Sequence, residues 1–316
     1  MKKNTEISAY IGLVITFILW GSLYVVSNIL LTQLPTFTVA FIRFIIAYLF
    51  LTVLSHFHNS DKKFAIQTSH VHNAKTDSRL AKPDREGWKY IFILGFLGYA
   101  LFVGLQLLGT KFAGSSTASL INALNPVSIS LMAVLVLKEK LTKSKIAGMI
   151  LSVSGVYMIV GTGAHINITG IVLSLLSVIG WSFVSVITRR GLSKYQPLMV
   201  TRYAIGVAAI CNLVLCIIEN IYRQEPVHFS AGSIAGLLYM GTCCTAVAYI
   251  LWNKGLAALP ASNCSAFYPL QPLTSTVLGC LILHEEITLW FVIGALCIVC
   301  GILICLLWPV KSNVLI

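Results

Sequence analysis

Polar and aromatic side chains set inside long apolar stretches are the residues of this sequence that could do chemistry. Ten of them are Trp20, Tyr24, Arg43, Tyr99, Asn122, Asn125, Trp181, Tyr249, Tyr268 and Gln271. Aromatic rings offer apolar walls with hydrogen-bonding edges, and amides offer both donors and acceptors. If these side chains face one another, they form an aromatic-walled, amide-lined cavity. Such a cavity suits uncharged or zwitterionic small molecules, amino acids included.

Each of these residues also has a structural interpretation. Trp and Tyr near the ends of membrane spans commonly anchor a helix at the lipid interface, and amides inside a bilayer commonly bond one helix to another. Arg43 could hold a carboxylate, but it could equally extend toward the interface or bond backbone carbonyls. The sequence alone leaves both interpretations open for every one of the ten.

Acidic residues are placed where they limit the possible chemistry. Glu139, Glu219 and Glu285 fall at the ends of apolar stretches, and no Asp or Glu falls deep inside one. Proton-driven exporters of cationic drugs generally need a buried carboxylate, so this mechanism is disfavoured. No catalytic constellation, phosphate-binding loop or metal-ligand cluster is evident either. We therefore expect no enzymatic activity, no cofactor and no metal.

The elements that would position the ten residues are membrane-spanning helices. The chain has 316 residues, 57% of them hydrophobic and only 10% charged, with a mean hydropathy of +0.88. Soluble domains carry roughly 25% charged residues. Ten apolar stretches, each near the length that crosses a bilayer, fall at about 8–31, 36–55, 88–108, 114–136, 146–161, 168–188, 197–218, 232–253, 262–282 and 289–308.

The basic residues predict the orientation of these spans. If the N-terminus is cytoplasmic, all but four of the 22 Lys and Arg residues fall in cytoplasmic segments; Lys111 and Arg223 fall outside, and Arg43 and Arg202 lie within spans. Cytoplasmic loops carry such an excess, which predicts both termini inside a plasma or inner membrane. The net charge of +12 therefore reflects topology and contact with the lipid bilayer, and we expect no binding to nucleic acid.

The sequence repeats itself when shifted by 146 residues. Leu124-Asn125-Pro126 then falls on Leu270-Gln271-Pro272, and Glu139 falls on Glu285. Five spans per copy would insert the second copy upside down, and the charge supports this because four Lys surround Glu139 while none surrounds Glu285. We predict an all-α membrane fold of ten helices in two inverted five-helix repeats, residues 1–162 and 163–316.

Two local features accompany the repeat. Pro126 and Pro272 fall well inside predicted spans, where each would kink its helix and act either as a gating hinge or as a shaping element of the wall. The polar segment at about 56–87 is predicted to be a flexible cytoplasmic loop. Its His56, His58, His70 and His72 allow a metal site, although solvated histidines more often have no such role.

The chain resembles the drug/metabolite transporter superfamily, in particular its EamA-type ten-helix branch. The resemblance rests on the order and doubling of several short motifs, which are Trp20-Gly21-Ser22, Arg43-Phe44, Asn125-Pro126 to Glu139, Trp181 with Arg189-Arg190, Gly241-Thr242, Trp252-Asn253-Lys254 and Pro272 to Glu285. It implies a central cavity lined by both halves, cytoplasmic termini, and export or exchange of a small-molecule substrate.

The expected function is thus a secondary transporter that exports or exchanges small polar metabolites such as amino acids. A passive channel and a transporter of sugars or drugs remain alternatives, and a membrane enzyme is a remote one. The sequence also leaves the oligomeric state open, a homodimer included.

Overall fold

The computed structural model describes residues 2–68, 82–122, 124–139, 142–160, 167–223, 226–283 and 289–307. In these ranges the regular secondary structure consists of helices, which turns and short irregular segments connect. The first repeat contains α1 (Lys2–Gln33), α2 (Thr36–Thr68), α3 (Arg85–Phe92), a π-helical segment (Ile93–Phe102), α4 (Val103–Asn122), α5 (Asn125–Leu137) and α6 (Lys143–Val160). The second contains α7 (Ile168–Leu192), α8 (Pro197–Tyr222), α9 (Ala231–Tyr239), a π-helical segment (Met240–Val247), α10 (Ala248–Ala258), α11 (Ala261–Ser265), α12 (Leu270–Leu283) and α13 (Leu289–Leu307).

Within the described ranges, six helical runs are long and apolar enough to cross a membrane. They are Glu6–Gln33, Thr36–Phe57, Arg85–Ala113, Ile168–Leu192, Pro197–Tyr222 and Ala231–Ala258. Asn125–Leu137 and Val292–Ile304 are shorter apolar helices. Many large apolar side chains on these helices face outward, for example Ile210 and Leu135 at 67% and 66% exposure. A surface of this kind is stable only against lipid, and it agrees with the predicted all-α membrane fold.

The predicted spans at 114–136 and 262–282 are each broken, which corrects the sequence-based prediction of two continuous helices. In the first, α4 runs on to Asn122 and α5 begins at Asn125. In the second, α11 ends at Ser265 and α12 begins at Leu270. Both breaks fall at equivalent positions of the repeat. They leave helix ends inside the protein, where unpaired backbone groups are tolerated because they line a cavity.

The breaks also correct the predicted kink at each of the two prolines, while their role in gating stays a prediction. Pro126 lies in the first turn of α5 and Pro272 in the first turn of α12. The first N–H groups of a helix have no intrahelical acceptor, so proline removes no hydrogen bond there. The prolines therefore begin new helices after the breaks and do not kink continuous ones.

Part of the segment at about 56–87 is helical, which corrects the prediction of a loop for that part. α2 continues to Thr68, and α3 begins at Arg85. His70 and His72 of the predicted histidine pairs lie outside the described residues.

The two repeats interlock through equivalent contacts. The symmetry-equivalent helices α2 and α8 pack on each other, and so do α6 and α13. α1 packs on α10, and its counterpart α7 packs on α4. Even the π-helical segments recur at equivalent positions, although each inserts one extra residue per turn and is rare elsewhere. The structure is therefore built as two inverted repeats around a shared interface.

Glycine makes the closest of these approaches possible. A Cβ on Gly155 would lie 2.5 Å from the Gly294 carbonyl oxygen, and one on Gly301 would lie 2.2 Å from Ser152 Oγ. α6 and α13 thus cross with backbone against backbone, as small residues permit in membranes.

Candidate functional site

A cavity lies at the interface of the two repeats and contains nine of the ten predicted residues. Its lining comprises Trp20, Leu23, Tyr24, Arg43, Phe102, Val103, Gln106, Asn122, Asn125, Ser177, Trp181, Tyr249, Tyr268 and Gln271. These residues come from α1, α2, the first π-helical segment, α4, α5, α7, α10, α12 and the break before α12. The predicted set therefore converges in space although it spans most of the chain.

Tyr99 is the predicted residue that lies outside this lining. Its ring stacks on Tyr249 with centroids 4.3 Å apart and planes at 5°, and its exposure is 0%. The Tyr99 hydroxyl accepts a hydrogen bond of 3.2 Å from the Asn253 amide. Tyr99 thus supports the cavity wall from behind, because Tyr249 stands between it and the open space.

Aromatic rings form the wall of the cavity. Trp20 and Trp181 meet edge to face at 6.1 Å, and Trp181 lies 6.1 Å from Tyr249. The Trp20 indole N–H donates to the Cys244 carbonyl at 3.1 Å, and the Trp181 indole N–H donates to the Tyr268 hydroxyl. Each of these two indoles therefore has an acceptor, which fixes its ring in place.

Amide side chains lie at the breaks. Asn122 ends α4 and Asn125 begins α5. The Asn125 amide nitrogen donates to the Asn122 carbonyl oxygen at 2.9 Å and to Asn122 Oδ1 at 3.1 Å. These two acceptors fix which end of the Asn125 amide is nitrogen. The remaining atom, Asn125 Oδ1, is buried and has no hydrogen-bond donor.

Arg43 brings a buried positive charge to the cavity. It is 1% exposed, and its Nε donates to Thr245 Oγ1 at 3.2 Å. Thr245 lies in the second π-helical segment and itself donates to the Met240 carbonyl at 2.7 Å. Arg43 Nη1 is buried without an acceptor. An unpaired guanidinium donor in a membrane is costly, and Nη1 retains the capacity to donate to a further acceptor.

The charges around the cavity are unbalanced. Among the described residues that line it, Arg43 carries a charge and no Asp or Glu accompanies it. Because opposite charges attract strongly where water is scarce, the site favours a ligand with a negative group and disfavours a simple cation.

The cavity is narrow. The space open to the centres of water molecules is about 40 Å³, room for about three waters. Tyr24 lies further along α1 than Trp20, and its hydroxyl accepts a hydrogen bond of 2.7 Å from Gln106. A ligand as large as an amino acid therefore requires side chains such as Tyr24 and Gln106 to move.

A polar cluster joins the two repeats at the end of the molecule that the Lys-rich segments predict to be cytoplasmic. Glu139 accepts hydrogen bonds from the Ala261 and Ser262 backbone N–H groups at 2.9 and 3.3 Å. It also accepts from the Ser262 hydroxyl at 2.9 Å. Glu139 thereby joins the end of α5 in the first repeat to the start of α11 in the second. Its repeat equivalent, Glu285, lies outside the described residues.

A second cluster joins the repeats at the start of α3. Lys194 Nζ lies 3.0 Å from Asp84 Oδ2 and 2.8 Å from Glu86 Oε2. Hydrogen bonds from the Tyr195 hydroxyl, the Gly87 N–H and Lys194 hold the pKa of Asp84 well below its usual range. Hydrogen bonds to Glu86 and Asp84 raise the pKa of Lys194. Asp84 and Lys194 are therefore both charged throughout the physiological pH range.

Several lining residues were absent from the predicted set. Leu23, Phe102, Val103 and Ser177 have no chemistry that distinguishes them from other wall residues in sequence. Gln106 does carry a signal, because it is an amide inside a span, as Asn122 and Asn125 are. No group of three or more His, Cys, Asp and Glu residues is close enough to hold a metal ion in the part of the chain that the structure describes.

Comparison of the sequence with known proteins shows which family this chain resembles. The sequence model of the EamA-like transporter family matches residues 7–161 and again residues 168–307. An "Uncharacterized transporter" of Archaeoglobus fulgidus is 24% identical over 295 residues, covering 92% of this chain and 94% of that protein. The "Uncharacterized transporter YvbV" of Bacillus subtilis is 24% identical over 306 residues, covering 96% and 92%.

A solved crystal structure shares the fold. It superposes with a TM-score of 0.74 at 17% identity, covering 97% of this chain and 98% of the other. The two family matches meet between residues 161 and 168, and the domain boundary at residues 162 and 163 stays a prediction. With nearly its whole length matched in two successive units, this multi-pass membrane protein belongs to the EamA-like transporter family.

Proposed function

We propose that this membrane transporter is a secondary exporter or exchanger of small zwitterionic metabolites, with amino acids as the substrate class. It resides in the plasma or inner membrane with both termini in the cytoplasm. The proposal extends the family assignment to a substrate class and a direction.

The pair of unpartnered atoms in the cavity carries this proposal. Arg43 Nη1 is a buried donor without an acceptor, and Asn125 Oδ1 is a buried acceptor without a donor. Both residues line the same cavity. An amino acid presents the complementary groups, since its carboxylate accepts from a guanidinium and its ammonium donates to an amide oxygen. A sugar would leave the Arg43 charge without a partner charge.

The position of the cavity supports alternating access. It lies between the inverted repeats, where rocking of one half against the other opens a site to either side. Aromatic rings of Phe17, Trp20, Trp252 and Tyr268 pack together beside it, with Phe17 and Tyr268 centroids 4.7 Å apart. The narrow space and this packed layer favour a transporter over a continuously open channel.

Counterflow into proteoliposomes tests the proposal. Vesicles loaded with an unlabelled amino acid should accumulate the labelled form, and a screen of amino acids and sugars identifies the class. Arg43→Gln should lower amino-acid counterflow at low substrate concentration about tenfold or more, since a hydrogen bond to a charged group contributes about 1.5–3 kcal/mol. Arg190→Gln, an equal charge change at an exposed site, should leave counterflow unchanged.

Two further measurements keep the test decisive. Arg43→Lys retains the charge, so it should keep more activity than Arg43→Gln if the charge binds substrate. The melting temperature of each variant shows whether it is folded. Absence of counterflow for every amino acid with folded protein would contradict the substrate class, and unitary currents in single-channel recordings would instead support a channel.

A further inference from the structure

We infer that the furrow between α2 and α8 is a binding site for an anionic phospholipid of the cytoplasmic leaflet. The furrow has a volume of about 380 Å³ and lies on the outer face, apart from the central cavity. It is lined by Phe41, Ile45, Tyr48, Trp88, Tyr203, Gly206, Val207, Ala209, Ile210 and Leu213. These side chains are apolar or aromatic, as an acyl chain requires.

The floor of the furrow depends on Gly206. A Cβ at this position would lie 3.0 Å from Tyr48 Cε2, so a larger side chain would enter the space between α2 and α8. The outer edge is formed by Ile210 on α8, which is 67% exposed. The furrow is therefore open toward the surrounding lipid.

The length of the furrow matches one leaflet. From Arg202 to Leu213 along α8 the helix rises about 16 Å at 1.5 Å per residue. One leaflet contributes about half of the ~30 Å hydrocarbon thickness. An acyl chain lying in the furrow would thus reach from the interface to the middle of the bilayer.

A basic group stands at the interfacial end. The Arg202 guanidinium lies over the Tyr203 ring at 4.5 Å, and its Nη1 donates to Ser55 Oγ at 2.6 Å. The Arg202 side chain as a whole is only partly buried. Its guanidinium lies against Tyr203, which lines the furrow, and it has five N–H donors, more than the bond to Ser55 uses, so it can also donate to a phosphate.

Neighbouring residues strengthen the positive end. Trp88 packs on Tyr203 with centroids 5.3 Å apart and is 48% exposed, as is typical of an interfacial aromatic. Arg85 and Lys89 lie exposed on the same short helix. The nearby Asp84 and Glu86 are both bound to Lys194. Basic pockets between helices on the cytoplasmic side bind anionic headgroups.

A phospholipid fits this furrow better than a second copy of the chain. In a two-fold symmetric dimer the same surface meets itself, so the Arg202 regions of both copies would approach each other. An anionic lipid instead brings a negatively charged phosphate to Arg202 and an apolar acyl chain to the furrow.

Native mass spectrometry of the purified protein tests this inference independently of transport. With equimolar phosphatidylglycerol and phosphatidylcholine added, the wild type should retain phosphatidylglycerol in preference. Arg202→Gln should lower its retention about tenfold, because a charge-assisted hydrogen bond is lost. Gly206→Leu should lower retention of both lipids, because it fills the furrow. Lys254→Gln, an equal charge change at an exposed site away from the furrow, should have no effect.

Several outcomes would overturn the inference. An equal loss in Arg202→Gln and Lys254→Gln would show unspecific attraction to a basic surface. If inorganic phosphate alone displaces phosphatidylglycerol, the protein binds only the headgroup and the furrow does not take part. A stable dimer that Gly206→Leu dissociates, with no lipid preference, would assign the furrow to a second copy. Melting temperatures in lipid-free detergent should show that each variant is folded.

Discussion

Arg189 Nε lies 3.1 Å from Glu139 Oε1 in an ion pair that connects the two repeats. Arg189 also donates from Nη1 to the Leu256 carbonyl at 2.8 Å, and Glu139 receives the first N–H groups of α11. The carboxylate thus neutralises both a guanidinium and the positive end of a helix. We infer that this contact keeps the predicted cytoplasmic end of the transporter closed.

Loss of the Glu139 charge should open that end. Cys264 lies in α11 and is fully buried. In a variant that retains Cys264 as its single cysteine, Glu139→Gln should raise the rate of Cys264 labelling by a membrane-impermeant maleimide several-fold from the cytoplasmic side. Glu219→Gln is the matched control, since Glu219 caps α2 by accepting from the Thr36 and Phe37 N–H groups. Equal labelling of both variants would argue against a closing role for Glu139.

The α6–α13 contact should be intolerant of added volume. Gly301→Val would place atoms where a Cβ already meets Ser152 Oγ at 2.2 Å and the Gly148 carbonyl at 2.6 Å. We expect a destabilisation of about 1–3 kcal/mol from overpacking, measured as a lower melting temperature in detergent. Gly232→Ala is the control, because the nearest atom to its Cβ is 3.8 Å away. A change of the same size in both would contradict the packing argument.

The Asp84–Lys194 pair should contribute to the stability of the folded protein by an amount that does not vary with pH near neutrality. The lowered pKa of Asp84 gives stability that is present above its unfolded pKa of about 3.9 and lost as the pH falls through the folded pKa. The raised pKa of Lys194 gives stability that is present below about pH 10.4 and lost as the pH rises further.

Asp84→Asn tests this expectation, because asparagine can still accept the Gly87 N–H at the helix cap. The melting temperature of Asp84→Asn should lie slightly below that of the wild type, since exposed ion pairs contribute little. The difference should stay constant between about pH 5 and 9 and narrow below about pH 4. A step in the difference near pH 7 would show that another titrating group controls this cluster.

The Trp20 indole should stabilise the wall of the cavity. Trp20→Phe would remove the 3.1 Å hydrogen bond to the Cys244 carbonyl, and such a bond contributes about 0.5–1.5 kcal/mol to stability. We expect a lower melting temperature and reduced counterflow. Trp290→Phe is the control, because Trp290 is 58% exposed on α13. If Trp20→Phe changes neither the melting temperature nor counterflow, the hydrogen bond does not stabilise the wall of the cavity.

Much of the fold follows from local sequence properties. The length of the apolar stretches predicts the membrane spans, and the basic residues predict the orientation of those spans. The match of Asn125-Pro126 with Gln271-Pro272 predicts the internal repeat. None of these depends on which helices touch. The helix breaks before Pro126 and Pro272 could not be predicted from the sequence, because an apolar stretch has the same hydropathy whether the helix inside it is continuous or interrupted.

The sequence alone was thus sufficient to predict a membrane protein of two repeats and the types of residue that line its cavity. Only the tertiary structure decided that Tyr99 stands behind Tyr249, that Arg43 Nε pairs with Thr245, and that Asn125 Oδ1 and Arg43 Nη1 lack partners. The physical reason is that pairing and burial depend on contacts between residues far apart in the chain. Periodicity fixes the face of a helix, but the neighbouring helix determines what that face meets.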